Sequence, residues 1–225
     1  MTPWSLIESV IMVFCKHTSD TSCRWRRRKE ARPEEILYAA LELFAEKGYA
    51  ATRMNDVAKQ AGISKGTLYL YFNNKEAIFH SVVQEMITPK LKQVEELVKL
   101  HEGTAEELLR QLIMHWWENI AESQLSSIPK LIISESGNFP ELAEFFVNTV
   151  VKRARKLFVD VIRKGIKQKE FADHNPNTLA RLVMAPMIQM VIWKHSLKPF
   201  DDAQNTREYI ELHIELIIKA LKKQK

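Results

Sequence analysis

The sequence predicts an all-α protein, and three observations carry that prediction. Only 6 glycines and 8 prolines punctuate 225 residues, about half of the roughly 12% that ordinary domains devote to the two together, so the chain has few places to turn. Apolar residues recur at three- and four-residue spacing through most of its length. Helix start and stop signals bracket those periodic stretches. Hydrophobic residues at 46% and charged residues at 27% exclude a disordered, collagen-like or disulfide-framework chain.

The net charge of +5 is local. Eleven basic and six acidic residues fall between Arg24 and Lys75, which accounts for the whole excess. A positive field confined to one segment fits contact with a polyanion there, or a solvated basic face. Cys15 and Cys23 form no Cys-x-x-Cys or Cys/His cluster, so no metal site is expected and a reducing cytoplasm fits best. The apolar run Leu6–Phe14 is too short to cross a bilayer and lacks the flanks of a signal peptide. Residues 1–29 are expected to form a disordered leader ending in the basic cluster Arg24–Lys29, which is either an arm for phosphates or a solvated tail.

The first helix is expected to start at Pro33, with Glu34 and Glu35 at its positive end and Gly48 just past its last turn. Ile36, Ala40 and Leu43, flanked by Leu37, Leu41 and Phe44, give it a broad apolar face. Thr52 can cap a short helix whose inner face is Met54, Val57, Ala58 and Ala61. Gly62 permits a sharp turn, and Ser64 can cap a second short helix. Two short helices joined through a glycine-containing turn make a helix-turn-helix, here residues 53–72.

In the second of these helices Leu68 and Phe72 point inward, leaving Lys65, Thr67, Tyr69 and Tyr71 outward on a helix without an acidic residue. Hydroxyls and an ammonium suit phosphates and base edges, and Gly66 allows close approach of the backbone to DNA. Asn73 can cap the next helix, with Glu76 completing a capping box. Lys75 stands at the wrong end of that helix for its dipole, which favours an anion beside it.

The run Ile36-Leu37-x-Ala39-Ala40-x-x-Leu43-Phe44-x-x-x-Gly48-Tyr49-x-x-Thr52 and the run Val57-Ala58-x-x-Ala61-Gly62-Ile63-Ser64-x-Gly66-Thr67-Leu68-Tyr69-x-Tyr71-Phe72-x-x-Lys75-Glu76-x-Ile78 resemble the DNA-binding domain of the TetR family of bacterial transcriptional regulators. The resemblance implies that Thr52, Tyr71 and Lys75 grip phosphates, that Lys65, Thr67 and Tyr69 face the major groove, and that Ser64 caps the recognition helix. It also implies a cytoplasmic homodimer on a palindromic double-stranded DNA operator. The expected organisation is a DNA-binding domain over 30–90 and a helical regulatory and dimerisation domain over 91–225.

Beyond Met86 the elements rest on helix signals. A fourth helix runs from Lys75 to about Leu100, with Pro89 marking a kink or break. Thr104 caps the next helix, with Leu108, Leu112, Trp116 and Ile120 as its stripe. A short helix starts near Ser126-Ser127-x-Pro129 and ends at Glu135-Ser136-Gly137. Pro140 opens the longest amphipathic stretch, to roughly Lys169. The piece from Ile132 to Leu142 resembles the regulatory domain of the AcrR-like subgroup. Pro176–His195, with Pro186 inside, and Thr206–Lys222 complete the chain.

In the family the last two long helices pair with their copies; the apolar surplus of Ile210, Leu212, Ile214, Leu216, Ile217, Ile218 and Leu221 exceeds one core-facing stripe and is read as a dimer face carried by Ile210, Ile214, Ile217 and Leu221, or as a helix buried inside its own subunit. Trp116, Phe145, Met184 and Met187, with Met114, Trp117, Met190 and Trp193, suit a roomy apolar pocket for a small-molecule inducer, or simply a core. His115 and Gln189 can orient a ligand there. Residues for nucleophilic, paired-carboxylate or metal catalysis do not converge in the sequence, so neither an enzyme nor a cofactor is expected. The expected function is a repressor released by an apolar or amphipathic ligand. The alternative is a DNA-binding dimer without small-molecule input.

Overall fold

The computed structural model describes the backbone of residues 21–201 and 205–222, with side chains from residue 33 onward. The chain divides into two compact units, Met1–Glu35 and Ile36–Lys225, and the second holds every element discussed below except the first part of α1. Of the expected leader, Leu6–Phe14 and the side chains of Arg24–Lys29 lie outside the described residues. Among those residues the fold is entirely helical apart from an isolated bridge between Phe171 and Lys222. No helix among them is long and apolar enough to cross a membrane.

Helices α1 (Thr21–Lys47), α2 (Met54–Gln60) and α3 (Lys65–Tyr71) come first. Helix α4 covers residues 75–100 as Lys75–Ser81, a π segment Val82–Ile87, and Thr88–Leu100. The wide turn lies directly before Pro89, where the missing amide donor removes one ladder bond. Helix α5 joins Ala105–Trp116 to a π turn Trp117–Ala121, and α6 is Ser127–Glu135. Helix α7 covers residues 140–167 as Pro140–Phe146, a π turn Val147–Val151, and Lys152–Lys167. Pro176–Ser196 and Thr206–Leu221 form α8 and α9.

Local chemistry explains most boundaries. Ser64 Oγ accepts from the Thr67 amide at 3.0 Å at the start of α3. Thr104 and Glu107 exchange bonds at 3.1 and 3.0 Å as a reciprocal cap on α5. Asn175 accepts from two amides at the start of α8. Gly62 sits at φ +66° in the turn between α2 and α3, a conformation that side chains disfavour.

Three starts differ from expectation. Helix α1 begins at Thr21, and Pro33 lies inside it. Proline keeps a helical φ and forfeits one bond, and the residues before it are mostly Arg, Lys, Glu and Ala, all good helix formers. Asn74, one residue later than expected, caps α4 by accepting from the Ala77 amide at 2.7 Å. Thr52 does not cap α2. The cap position is Arg53, whose amide donates to Asp56 at 3.2 Å.

The buried apolar residues form two clusters that do not divide at residue 90. One joins α1, α2, α3 and the first half of α4 to Leu125, Ile128, Leu131, Ile132, Leu142 and Phe146, so α6 and the start of α7 share the core of the helix-turn-helix. The other holds α5, the second half of α7, α8 and α9. At the centre of the first, Tyr49 packs 5.3 Å from Phe44, 6.2 Å from Phe79 and 4.9 Å from Phe139 by ring centroid. Burial, reinforced by Glu76, Glu141 and Glu135, pushes the Tyr49 phenol up to about 12.

Lys75 closes this cluster. Its ammonium donates to the carbonyl oxygens of Tyr49 and, at 3.3 Å, Ala50, and lies 4.2 Å from the Tyr49 ring centroid and 5.8 Å from that of Phe139. Burial lowers its pKa, opposed by the charge of Glu135. Glu135, at the end of α6, accepts from the Ala50 amide at 3.1 Å. The α1–α2 link is therefore held from one side by α4 and from the other by α6. In the second cluster, Arg153 of α7 makes a two-pronged bond to Glu95 of α4 at 2.9 and 3.0 Å.

Two predictions follow from this packing. A Cβ on Gly165 of α7 would lie 2.2 Å from the ring of buried Phe171. Gly165→Ala is thus expected to lower stability by about 1–3 kcal/mol through overpacking, although alanine is the better helix former; denaturant titration reads the sign, and a gain refutes the close approach. Lys75→Met removes donors from two carbonyls and is expected to cost about 1–3 kcal/mol of stability. Its salt dependence of DNA binding should match wild type. A fully stable variant whose salt slope falls by about one per subunit would instead return Lys75 to the phosphates.

Candidate DNA interface and ligand cavity

The outward surface of α3 is short and chemically distinct. Lys65, Gly66, Tyr69 and Leu70 are exposed, and Thr67 and Tyr71 are half-buried. Lys65 and Tyr69, four residues apart, share a face, with the ammonium 5.9 Å from the ring centroid. The Ser64 and Thr67 hydroxyls lie 2.8 Å apart, so each already holds the other in place at the helix start. Tyr71 packs its ring against the core of the first cluster.

Sequence reading passed over Leu70, which is 84% exposed between the two tyrosines. The signal was present. Leu68 and Phe72 occupy the inward face, which leaves position 70 on the opposite side of a helix of 3.6 residues per turn.

One expected phosphate contact is corrected, and a second residue has interior partners of its own. Thr52 is buried, and its hydroxyl donates to the carbonyl oxygens of Gly48 at 2.7 Å and Leu43 at 3.2 Å. It ties off the end of α1 and has no proton to offer a phosphate. Lys75 spends its ammonium on the Tyr49 and Ala50 carbonyls, as described above.

In the larger half of the molecule, α4, α5, α6, α7 and α8 enclose a cavity of about 320 Å³. Trp116, Met184 and Met187 line it, as expected. Phe145 does not. Its ring stacks 3.9 Å from His80 of α4, while its neighbour Phe146 lines the cavity; adjacent helical residues point about 100° apart, which separates the two faces. Met190 and Trp117 are core, Met114 packs against it, and Trp193 and Gln189 line a separate open groove on α8. The polar side chains on the cavity wall are Lys90, His115 and Asn119.

The expected dimer residues are also corrected. Ile210, Ile214 and Leu221 are buried within their own subunit, and Ile217 packs half-buried against the same core. The surplus apolar residues of α9 lie on the other side, where Leu212 and Leu216 are 52% and 57% exposed. Leu182 and Ala185 of α8 are exposed too.

One polar pair has the composition of a nucleophile and base but the wrong wiring. Fully buried Ser126 gives its hydroxyl proton to Ser123 O at 2.7 Å, so the 2.8 Å contact with His195 Nε2 must be a bond donated by the imidazole. The pair braces the end of α8 against the turn before α6 and leaves the serine without a proton acceptor of the kind a nucleophile needs. Burial, then the charges of Lys194 and Lys130, holds the His195 pKa below its ordinary value.

The model of the bacterial regulatory proteins of the tetR family matches residues 36–82. The fatty acid metabolism regulator protein of Bacillus subtilis is 29% identical over 189 residues, covering 82% of this chain and 95% of that protein. The HTH-type transcriptional repressor KstR2 of Mycolicibacterium smegmatis is 26% identical, covering 81% of this chain and 88% of the repressor. Among solved structures, FadR from Bacillus subtilis in complex with stearoyl-CoA superposes with a TM-score of 0.70 at 26% identity, covering 84% of this chain and 98% of that one. With its helix-turn-helix built on α2 and α3 and carried by a larger all-helical body, the chain matches the tetR family over residues 36–82 and is similar to DNA-binding transcriptional regulators over about four fifths of its length.

Proposed function

We propose that the chain works as a homodimeric repressor, binding a palindromic operator through α3 of each subunit and leaving it when an apolar or amphipathic molecule fills the cavity. The observation that carries this reading is the sharing of walls and core. Ile87 of α4 and Ile128 and Ile132 of α6 line the cavity and belong to the cluster that supports α3. A ligand that favours one placement of α4 and α6 therefore favours one placement of the recognition helix. A tenfold loss of operator affinity needs a coupling of about 1.4 kcal/mol, small beside the burial energy of an apolar ligand.

On the DNA side, Lys65 and Tyr69 supply donors to base edges or phosphates, Gly66 admits the backbone, and Leu70 offers an apolar contact suited to a thymine methyl. Ser64, Thr67 and Tyr71 act at the ends of this surface. Two such helices must lie about 34 Å apart, or a multiple of it, to meet successive turns of one groove. The dimer that sets this spacing uses the exposed side of α9, with Leu212 and Leu216, together with Leu182 of α8. The complex of a related regulator with stearoyl-CoA supports a long apolar molecule as the kind of effector.

Selection of bound duplexes by the purified chain is expected to return a palindrome. Tyr69→Ala should cost about 1–3 kcal/mol on that sequence, and far less on random DNA; equal losses on both, or no selected sequence, refute base reading by α3. Leu216→Glu should give a monomer by light scattering with an unchanged helical spectrum, since the residue is exposed within its own subunit and a carboxylate is penalised only where a partner buries it. A dimer that persists in this variant removes α9 from the interface.

A further inference from the structure

The cavity is lined almost wholly by aliphatic and aromatic side chains, and two of its three polar residues, Lys90 and His115, have a donor to offer. Lys90 on α4 contributes a positive charge, no Asp or Glu lines the wall, and no hydrogen bond or ion pair engages the Lys90 ammonium among the described residues. His115 and Asn119, one turn apart on α5, complete the polar patch. Asn119 Nδ2 donates to the His115 carbonyl at 3.0 Å, which fixes the amide with its NH₂ toward the imidazole, 3.4 Å from Nδ1. Nδ1 thus faces a donor, and the ring proton belongs on Nε2. That Nε2 is buried without a partner among the described residues. Burial lowers the His115 pKa, with Glu118 opposing and Lys90 assisting, so the ring is a neutral donor.

We propose that the effector is an amphipathic anion, an apolar body ending in a carboxylate, whose body fills the cavity and whose head is held by Lys90 with His115 as a second donor. This rests on the reading of the cavity as the effector site. A cation at the edge of an apolar cavity without a carboxylate in its wall draws an anionic head toward that edge while the apolar body lies inside. An unpartnered buried donor penalises the empty protein and selects for a ligand that brings an acceptor. Neither group has anything to offer a cationic head.

Three probes with the same body test this: dodecanoate, methyl dodecanoate and dodecyltrimethylammonium, titrated calorimetrically into the full chain and its variants, among them substitutions of Trp116, which lines the cavity. Dodecanoate is expected to bind about tenfold or more tightly than the trimethylammonium probe, and Lys90→Met to cut dodecanoate affinity about tenfold while leaving the ester within about twofold. His115→Phe should weaken both oxygen-bearing probes, and His115→Gln, which keeps a donor, should retain part of the preference; thermal melts of each variant separate lost binding from lost folding. Equal affinity for anion and cation, or wild-type dodecanoate binding by a folded Lys90→Met, overturns the proposal and leaves the cavity reading standing. If none of the probes binds, or if Trp116→Ala leaves all three affinities unchanged, the cavity reading falls and takes the proposal with it.

Discussion

The aromatic column from Phe44 through Tyr49 and Phe79 to Phe139 and Phe145 is the constraint on which the DNA-binding surface depends. Helices α2 and α3 have seven residues each, well under the length at which an isolated helix persists in water. They exist because Val57, Ala58, Leu68 and Phe72 are buried against α1 and α4. Those helices are fixed in turn by the rings that α6 and α7 help to cover. Ile87, Ile128 and Ile132 belong both to the core that holds α3 and to the wall of the cavity, so the packing of one is tied to the shape of the other. Local and distant stability are here the same quantity.

Polar bonds refine this arrangement at its weakest point, the link from α1 to α2. Apart from the Gly48 amide, which donates to the Phe44 carbonyl at 3.1 Å, its backbone groups lie beyond the helical ladder and need other partners. Thr52 serves the carbonyls of Leu43 and Gly48, Lys75 those of Tyr49 and Ala50, and Glu135 the Ala50 amide. Three side chains from three places in the sequence thus satisfy one short segment. Two of them, Thr52 and Lys75, match a family pattern in which they would face phosphates, and the structure gives them an interior task that needs the same donors.

That divergence shows what the sequence made legible. The helix-turn-helix was readable because its determinants are local: a serine cap, a glycine in a turn, apolar residues four apart. The caps at Thr104 and Asn175 and the proline starts of α7 and α8 were readable for the same reason. The partner of a donor was not, since Lys75 reaches carbonyls 25 and 26 positions away in sequence and nothing local announces them. The facing of α9 was not legible because the helix is apolar on two sides, and periodicity alone does not say which side turns inward; Ile210, Ile214 and Leu221 took the interior and Leu212 and Leu216 the surface. Phe145 and Phe146 posed the same problem within a single turn.

The π segments at Val82–Ile87, Trp117–Ala121 and Val147–Val151 give three helices around the cavity one residue more per turn than an α-helix holds. Each wide turn behaves as an extra residue spliced into a regular rod. Losing one residue at such a point would leave an uninterrupted α-helix with both flanks facing as they do now, because the wide turn already absorbs the extra residue, whereas the same loss in a regular turn would rotate one flank against the other by about 100°. In α4 the part before the wide turn holds the recognition helix, and the part after it carries Lys90 and Leu91 into the cavity. Single-residue deletions in these segments are thus the ones that leave the cavity lining and the DNA-binding surface facing as they do now, and the three wide turns are the places where the length of these helices can change without reorienting either.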